Sequence, residues 1–324
     1  MRYLTIYYSN QDEQLVVVKQ IQELCESHGL LFIDICVDND PGLQKRIGDR
    51  LPVVMIGAYQ LNFPFTISEV EVAARAALHH DAWNSKPVED DKRFSMTRSE
   101  RFALWFSKNY ALVISIIIIL FAGASVLPPV LAAGGNLQAA NIGYRFYSLF
   151  CHQLAFRSYF IDGDQHIYPR ALANIEELTT YEEITGRSAE DIKFAREIIG
   201  NEGMGYKLAL CERDLAIYAG LGLFGLIFHF TGKKIKHLRW FYWLILAVIP
   251  IAIDGGSQLP GLAQGWPVWL PVRESTPLLR TITGGLFGIG TAWFVFPLME
   301  ESVSETRFAL ERKKKISIRY SAQQ

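Results

Sequence analysis

The stretch Tyr110–Val130, YALVISIIIILFAGASVLPPV, decides the fold of most of this chain. It contains no charged side chain, and it includes four consecutive isoleucines, Ile116–Ile119. A helix needs about 20 predominantly apolar residues to cross the hydrocarbon core of a bilayer. The stretch therefore predicts a membrane-spanning helix rather than the buried helix of a soluble protein.

Three more apolar segments predict further spans, at about Leu208–Phe230, Trp240–Ile253 and Leu278–Met299. The segment from Trp240 is short, and it crosses only if it begins near His237, is tilted, or is kinked at Pro250. Four crossings indicate an all-α membrane domain of four transmembrane helices over residues 109–300. Small residues on the second and last spans predict close helix packing; they are Gly220, Gly222, Gly225, Gly284, Gly285 and Gly288.

Basic residues are concentrated on one side of this predicted bundle. The linker 81–108, the connector Gly232–Arg239 and the tail 301–324, with Arg312-Lys313-Lys314-Lys315, all carry lysine or arginine. Such segments remain in the cytosol, and no signal peptide opens the chain. We therefore expect a multi-pass protein of the plasma (inner) membrane with both termini in the cytoplasm. An acidic insertion at about 160–205 then lies outside.

Composition excludes some classes of function. The 324 residues carry a formal net charge of −1, so the chain lacks the basic excess that nucleic-acid binding needs. The four cysteines are too few for a disulfide scaffold. Cys25 and Cys36 precede the first span, in a part expected to stay in the reducing cytosol, so we expect them to be reduced core residues.

Residues 1–80 alternate between strand and helix patterns. Short strands are predicted at Leu4–Tyr8, Leu31–Val37, Pro52–Gly57 and Leu61–Phe65, and helices at Gln14–His28 and Ser68–His79. A strand-helix-strand start followed by a hairpin and a helix indicates a small α/β domain.

Two segments of this domain resemble glutaredoxin-like domains of the thioredoxin fold. Val37-Asp38-Asn39-Asp40-Pro41 follows the second strand, and Leu51-Pro52-Val53 opens the third. The resemblance implies a cis-proline at Pro52. In that family the loop after the first strand carries Cys-x-x-Cys, whose thiolate attacks disulfides, but here Ser9–Glu13 contains no cysteine. We expect a redox-dead module that binds a cytosolic protein partner, or a structural cap.

Polar residues cluster at the predicted outer ends of the spans. They are Cys151-His152-Gln153, Cys211-Glu212-Arg213-Asp214, Asp254 with Gln258, and Arg280. Ionisable groups are costly in or beside lipid, so a set that converges at one depth marks a candidate functional site.

Four of these residues are candidate metal ligands: Cys151, His152, Cys211 and Asp214. A tetrahedral zinc ion accepts their sulfur, nitrogen and oxygen atoms, and a spacing of three places Cys211 and Asp214 on one helix face. Against this, adjacent side chains such as Cys151 and His152 point apart on a helix. A disulfide between the two cysteines, both on the expected oxidising side, is the competing hypothesis. Free thiols packed as small apolar groups are a third.

The charged residues permit two interpretations. Arg213 and Arg280 would hold an anionic lipid-like substrate, a headgroup or a phosphate, because arginine matches such oxyanions. Asp254 would then act as general acid or base, and Glu274 would supply a further carboxylate. Alternatively, these residues form structural salt bridges that close the helix ends.

In order and spacing, these motifs resemble an uncharacterised family of prokaryotic predicted membrane proteins, a domain of unknown function. The family pattern is Cys-His-Gln with Arg-Ser, then Cys-x-Arg with Ile-Tyr, then Asp and Gln, then Arg-x-x-Thr-Gly. It is filled here by Cys151-His152-Gln153, Arg157-Ser158, Cys211-Glu212-Arg213, Ile217-Tyr218, Asp254, Gln258, Arg280 and Thr283-Gly284. Many members carry a second cysteine where this chain has Asp214, which weakens the cases for thiolate metal binding and for thiol exchange.

Three functions remain open from the sequence, which indicates no particular reaction. The favoured one is a membrane enzyme or membrane protein with a catalytic or structural metal, in contact with membrane lipid. The second is a thiol-redox membrane protein that uses Cys151 and Cys211. The third is a non-catalytic scaffold that binds a cytosolic partner through residues 1–80.

Overall fold

The computed structural model describes residues 3–38, 44, 47, 50–84, 95–258 and 273–322. The chain divides into two compact units, one made of residues 1–110 and 299–324 and the other of residues 111–298. The first unit contains an α/β region. The second, called the helical unit below, contains most of the apolar helical sequence and all of the candidate site residues.

The α/β region is built on a four-stranded mixed sheet. Its strands are β1 (Tyr3–Tyr8), β2 (Leu31–Cys36), β3 (Val53–Ile56) and β4 (Tyr59–Asn62), in the order β2-β1-β3-β4. β1 and β2 are parallel, while β3 is antiparallel to both β1 and β4. Helices α1 (Asp12–Ser27) and α2 (Ile67–Asn84) pack against the sheet. The predicted mixed α/β region is thus confirmed.

Alternation along β1 directs its side chains into two apolar layers, because successive residues of a strand face opposite sides of the sheet. Leu4 and Ile6 pack in one layer, in which Cys25 is also buried, as expected, whereas Cys36 is only half-buried and is not a core residue. Tyr7 packs in the other layer, which includes Phe308. The sheet is therefore apolar on both faces.

The fourth predicted strand, Leu61–Phe65, is placed wrongly, and β4 lies at Tyr59–Asn62 instead. β3 and β4 form a tight hairpin in which Ile56 lies opposite Tyr59. Gly57, in the connection, has a φ of +56°, which glycine adopts without steric cost. The Leu51–Pro52 peptide bond is cis, as the resemblance implied.

The first predicted span covers part of α3 (Arg98–Ala124) and of α4 (Leu127–Ala133), and α5 (Leu137–Tyr147) follows. Pro128 and Pro129 stand in the first turn of α4, where their missing N–H groups remove no helical hydrogen bond. α5 begins at Asn136, whose side chain accepts a hydrogen bond from the Ala139 N–H at 3.1 Å.

The predicted insertion has a core of its own, and it contains a sheet, so the region 109–300 is not all-α as predicted. A three-stranded sheet in the order β5-β7-β6 is formed by β5 (Ser158–Ile161), β6 (Gly200–Asn201) and β7 (Gly205–Cys211). Two short helices, α6 (Tyr181–Thr185) and α7 (Ile192–Glu197), lie between β5 and β6 along the chain. The core contains the buried aromatic side chains Phe156, Phe160, Tyr168 and Tyr181.

β7 corrects the start of the second predicted span. The apolar residues 208–210 are not the first turn of a helix; they are the buried end of β7, and α8 (Glu212–Phe230) begins after them. A short apolar run has the same composition in a buried strand as in a buried helix, so periodicity alone does not separate the two.

The third apolar segment is irregular. α9 (Trp240–Trp243), a π-helical turn (Leu244–Val248) and α10 (Ile249–Gly256) follow one another directly. The π-helical turn precedes Pro250, which has no N–H to donate to the preceding turn. The last helix, α11 (Pro277–Ala322), carries the final predicted span.

Among the described residues, three helical segments are long and apolar enough to cross a membrane: Arg98–Ala133, Glu212–Phe230 and Pro277–Lys315. The segment Trp240–Gly256 is apolar but shorter. The fourth crossing therefore stays a prediction.

Candidate functional site

The junction between β7 and α8 positions two of the candidate ligands. Cys211 ends β7 and is the N-cap of α8, where its Sγ accepts a hydrogen bond from the Asp214 N–H at 3.5 Å. An N-cap side chain that accepts from the first turn satisfies an N–H that has no partner within the helix. The cap brings Cys211 and Asp214 together at the start of α8.

Cys151 approaches this junction from the turn after α5. Its N–H donates to the Tyr147 carbonyl at 3.0 Å, and its Sγ accepts hydrogen bonds from the N–H groups of Gln153 at 3.4 Å and Cys211 at 3.2 Å. The sulfurs of Cys151 and Cys211 and the Asp214 carboxylate lie within 4.8 Å of one another. Both cysteines are free thiols, and the neighbouring Cys151 thiol, together with burial, raises the pKa of Cys211.

These three atoms fit the dimensions of a zinc site. Zinc lies at about 2.3 Å from sulfur and about 2.0 Å from oxygen, so tetrahedral ligands are separated by roughly 3.5 Å to 3.8 Å. A group already within 4.8 Å needs only small side-chain movements to reach that geometry. Zinc binding removes the thiol protons, so the raised pKa of Cys211 describes the metal-free state.

The remaining residues of the Cys-His-Gln motif have different surroundings. His152, the fourth predicted ligand, is exposed and lies outside the group formed by the other three. Gln153 is buried, and its Nε2 donates to the carbonyls of Tyr144 at 2.9 Å and Ala209 at 3.0 Å. Gln153 therefore ties the turn that carries Cys151 to β7.

Lys207 is a buried residue at this junction to which the sequence analysis gave no role. Its Nζ donates to the carbonyls of Gln153 and Arg196, each at 2.7 Å, and the residue is 1% exposed. Burial lowers the pKa of Lys207 to about 7, because the charged ammonium loses its hydration. The available sequence signal was a charged residue directly before the apolar residues 208–210.

A second group of polar residues surrounds Asp254 near the end of α10. Asp254 is buried and ion-paired with Arg213 of α8, and it accepts a hydrogen bond from Thr283 of α11 at 3.3 Å. Arg273 lies 3.5 Å from its other carboxylate oxygen and donates to the Ser257 hydroxyl at 2.6 Å. The structure therefore brings together the predicted residues Arg213 and Asp254.

A third group is built around Glu274, which the sequence analysis named only as a further carboxylate. Arg280 is 2% exposed, is ion-paired with Glu274, and lies 3.1 Å from Glu212. Arg157 donates to both Glu274 oxygens, at 2.9 Å and 3.0 Å, and Arg170 lies 3.2 Å away. The acidic partners of Arg280 are thus two glutamates and not Asp254.

The members of this third group were only partly predictable from the sequence. Arg157 belongs to the Arg-Ser element of the family pattern, but no role followed from that position. Arg170 lies in the insertion and Glu212 lies inside the Cys-Glu-Arg-Asp motif, and neither could be paired before the fold was known.

Small residues hold α8 and α11 close together and so align these groups. A Cβ on Gly284 would lie 2.6 Å from the Arg213 carbonyl oxygen, and one on Gly288 would overlap the Ile217 carbonyl. The predicted close packing is confirmed at these positions. Gly285 itself has open space where its Cβ would stand.

Together these features define a membrane protein with several candidate spans and a polar site in its helical unit. Residues 203–294 match the model of a family described as "Predicted membrane protein (DUF2085)". The matched segment includes Cys211, Arg213, Asp214, Asp254 and Arg280, and it begins after Cys151 and His152. The resemblance to a family of predicted membrane proteins is confirmed over these residues.

The chain is also similar to the uncharacterized protein MJ1492 of Methanocaldococcus jannaschii. The two are 28% identical over 207 residues, which is 60% of this chain and 96% of the relative. No solved structure matches the chain. The resemblance of residues 1–80 to glutaredoxin-like domains stays a prediction.

Proposed function

We propose that this chain is a multi-pass membrane protein that holds a zinc ion between Cys151, Cys211 and Asp214. The observation that carries the proposal is the convergence of two sulfurs and one carboxylate within 4.8 Å of one another. Two of the ligands come from the start of α8 and the third comes from a separate turn. The group is therefore produced by the fold and not by local sequence alone.

The number of ligands bears on what the metal does. Three protein ligands leave the fourth zinc position open, as in catalytic sites, whereas four protein ligands close a structural site. The exposed position of His152 supports the open arrangement, in which the zinc would lower the pKa of a bound water. Asp254 is ion-paired with Arg213, which supports a role for this carboxylate in positioning Arg213 rather than in general acid–base catalysis.

The proposed topology places this site at the outer boundary of the plasma membrane. Four crossings, with Trp240–Gly256 as the third, put both termini and the basic connector Gly232–Arg239 in the cytoplasm. Exposed apolar side chains on α3, including Ile117 at 61% and Leu120 at 65% exposure, support contact with membrane lipid.

The test is the metal content of the intact protein, purified in detergent and measured by mass spectrometry. We expect about one zinc per chain, with most of it lost in Cys211→Ser and Asp214→Asn, because each variant removes a ligand. Serine keeps an N-cap acceptor for α8, so Cys211→Ser removes the sulfur without removing the cap. Cys36→Ser, which changes a cysteine of the other unit, is the matched control and should retain the metal.

Two results would contradict the zinc site. One is metal-free wild-type protein in which Cys151 and Cys211 resist alkylation until a reductant is added, which would establish a disulfide and support the thiol-redox alternative. The other is zinc that persists in both ligand variants. If His152→Ala also loses the zinc, the proposal of a metal site stands, but the site is a closed one with four protein ligands.

A second function is favoured by the α/β region. The sheet order β2-β1-β3-β4 with two helices supports a glutaredoxin-like domain of the thioredoxin fold, while Ser9–Glu13 lacks the cysteines for exchange. We propose that residues 1–80 bind a cytosolic protein. Phe308 packs on this sheet, so the full-length chain should be used for cross-linking in cells. Cross-links that never involve residues 1–80 would contradict the proposal.

A further inference from the structure

Five arginines converge in the helical unit on a smaller number of acidic partners. This arginine cluster consists of Arg157, Arg170, Arg213, Arg273 and Arg280. The ion pairs of the described residues match them with three carboxylates, those of Glu212, Asp254 and Glu274. Within these described ion pairs, five positive charges face three negative ones, which is a formal excess of +2.

The two groups that make up the cluster lie side by side. Glu212 and Arg213 are consecutive in the first turn of α8, and one contacts Arg280 while the other contacts Asp254. On α11, Arg280 and Thr283 are one turn apart, and Thr283 also contacts Asp254. The excess charge is therefore concentrated in one place rather than divided between distant sites.

Structural salt bridges alone do not account for this arrangement. Burying charge is costly unless each ion is matched, and here the fully buried Glu274 is shared by three guanidinium groups. In addition, the Nε atoms of Arg213 and Arg280 are buried without a hydrogen-bond partner among the described residues. A buried donor left unpaired lowers stability. An anion rich in acceptor atoms would balance the excess positive charge and would also offer acceptors to such donors.

The cluster is closed on one side and open on the other. Arg280 is 2% exposed and forms the deep end, whereas Arg213 is 19% exposed and Arg273 is 42% exposed. The N-terminal end of α8, which carries Arg213, adds the positive end of a helix dipole.

We infer that the arginine cluster binds a phosphate-type oxyanion, which approaches past Arg273 and rests against Arg213. A phosphate group carries close to two negative charges or one when esterified to lipid, and its oxygens match the fork of a guanidinium. A phospholipid headgroup and a free phosphate or phosphomonoester offer this same chemistry. The inference does not depend on zinc at the cysteines.

Calorimetric titration of the intact protein in a neutral detergent tests the inference. The probes are inorganic phosphate, a short-chain phosphatidylglycerol, and a diacylglycerol of the same chain length, which lacks the phosphate and should not bind. We expect Arg273→Gln to weaken binding at least tenfold and to fold normally, because Arg273 is half-exposed. Arg213→Lys, which keeps the charge and loses the fork, should also weaken it.

The matched control is Arg145→Gln, which removes one exposed positive charge from α5 and should leave the affinity unchanged. Binding of phosphatidylglycerol alone would identify a lipid headgroup, and binding of inorganic phosphate would identify a site for free phosphate. Failure of both probes to bind, or equal weakening by Arg273→Gln and Arg145→Gln, would overturn the inference. Zinc content measured on the same preparations separates this outcome from failure of the metal site.

Discussion

At the scale of single residues, Lys207 links burial to pH. Its amine donates to two backbone carbonyls, and burial lowers its pKa to about 7. A lysine in an unfolded chain has a pKa of about 10.4. Between these two values the unfolded chain binds more protons than the folded protein, so the contribution of Lys207 to stability rises with pH.

We therefore expect the apparent Tm of the wild type to rise relative to that of Lys207→Met between pH 7 and pH 9. Above pH 7, the contribution of Lys207 to the free energy of unfolding rises by up to about 1.4 kcal/mol per pH unit. Well below pH 7 this contribution no longer changes with pH. Tryptophan fluorescence during heating in detergent provides the measurement. Lys193→Met, at an exposed lysine of α7, should differ from wild type by a pH-independent amount. If the Tm difference between wild type and Lys207→Met does not change with pH, the pKa of the Lys207 amine is not lowered in the folded protein.

The pairing of residues was predicted most directly where it is local, and Cys151 was added to its group by the expected convergence of the helix ends. Cys211 and Asp214 could be placed together in advance, because a spacing of three is one helical turn. Arg157 and Glu274 are separated by 117 positions, so their contact depends on the packing of the insertion against the start of α11. The sequence therefore indicated which residues carry chemistry better than it indicated which of them meet.

At the scale of elements, the contact between α8 and α11 depends on one glycine face. We expect Gly284→Ala to destabilise the protein by about 1 to 3 kcal/mol, because overpacking a tight contact forces backbone shifts. The added methyl would stand 2.6 Å from the Arg213 carbonyl oxygen. The measurement is the apparent Tm in detergent, and Gly284→Ala should also weaken phosphate binding because Arg213 is displaced.

Gly285→Ala is the control for this prediction. The neighbouring position has nothing within 4 Å of its Cβ. The substitution should therefore be neutral or stabilising by up to about 1 kcal/mol, because alanine has the higher helix propensity. Equal losses of stability in the two variants would contradict the close approach of α8 and α11.

The apolar helices were predictable because length and composition identify them, whereas the β5-β7-β6 sheet was not. Its central strand, β7, has only 7 residues and leads directly into α8, so its apolar end was assigned to the following helix. The polar, acidic residues of the insertion concealed the aromatic core that holds the sheet. Non-local strand pairing leaves no periodic signal of its own in such a segment.

At the scale of the whole molecule, the number of crossings decides the side on which the C-terminal tail lies. With four crossings, the tail and the connector Gly232–Arg239 are both cytoplasmic. With three crossings, they lie on opposite sides. Labelling intact cells with a membrane-impermeant maleimide distinguishes these topologies, using single cysteines introduced at exposed positions.

We expect Glu190→Cys, in the insertion, to be labelled, and Lys234→Cys and Lys314→Cys to be protected until the membrane is permeabilised. The reason is the retention of basic segments in the cytoplasm. Labelling of Lys314→Cys with continued protection of Lys234→Cys would mean that Trp240–Gly256 does not cross. Labelling of Lys234→Cys from outside would reverse the proposed orientation.

The position of Cys211 as the cap of α8 has a consequence for how the two proposed sites communicate. Its sulfur accepts the Asp214 N–H, and a thiolate is a stronger acceptor than a thiol. Zinc bound there would stabilise the first turn of α8. This turn carries Arg213 of the arginine cluster and Glu212, which pairs with Arg280. The two occupancies would then be thermodynamically linked, and such linkage is reciprocal. A chelator that removes the metal would then weaken phosphate binding, and bound phosphate would raise the affinity for zinc by the same factor.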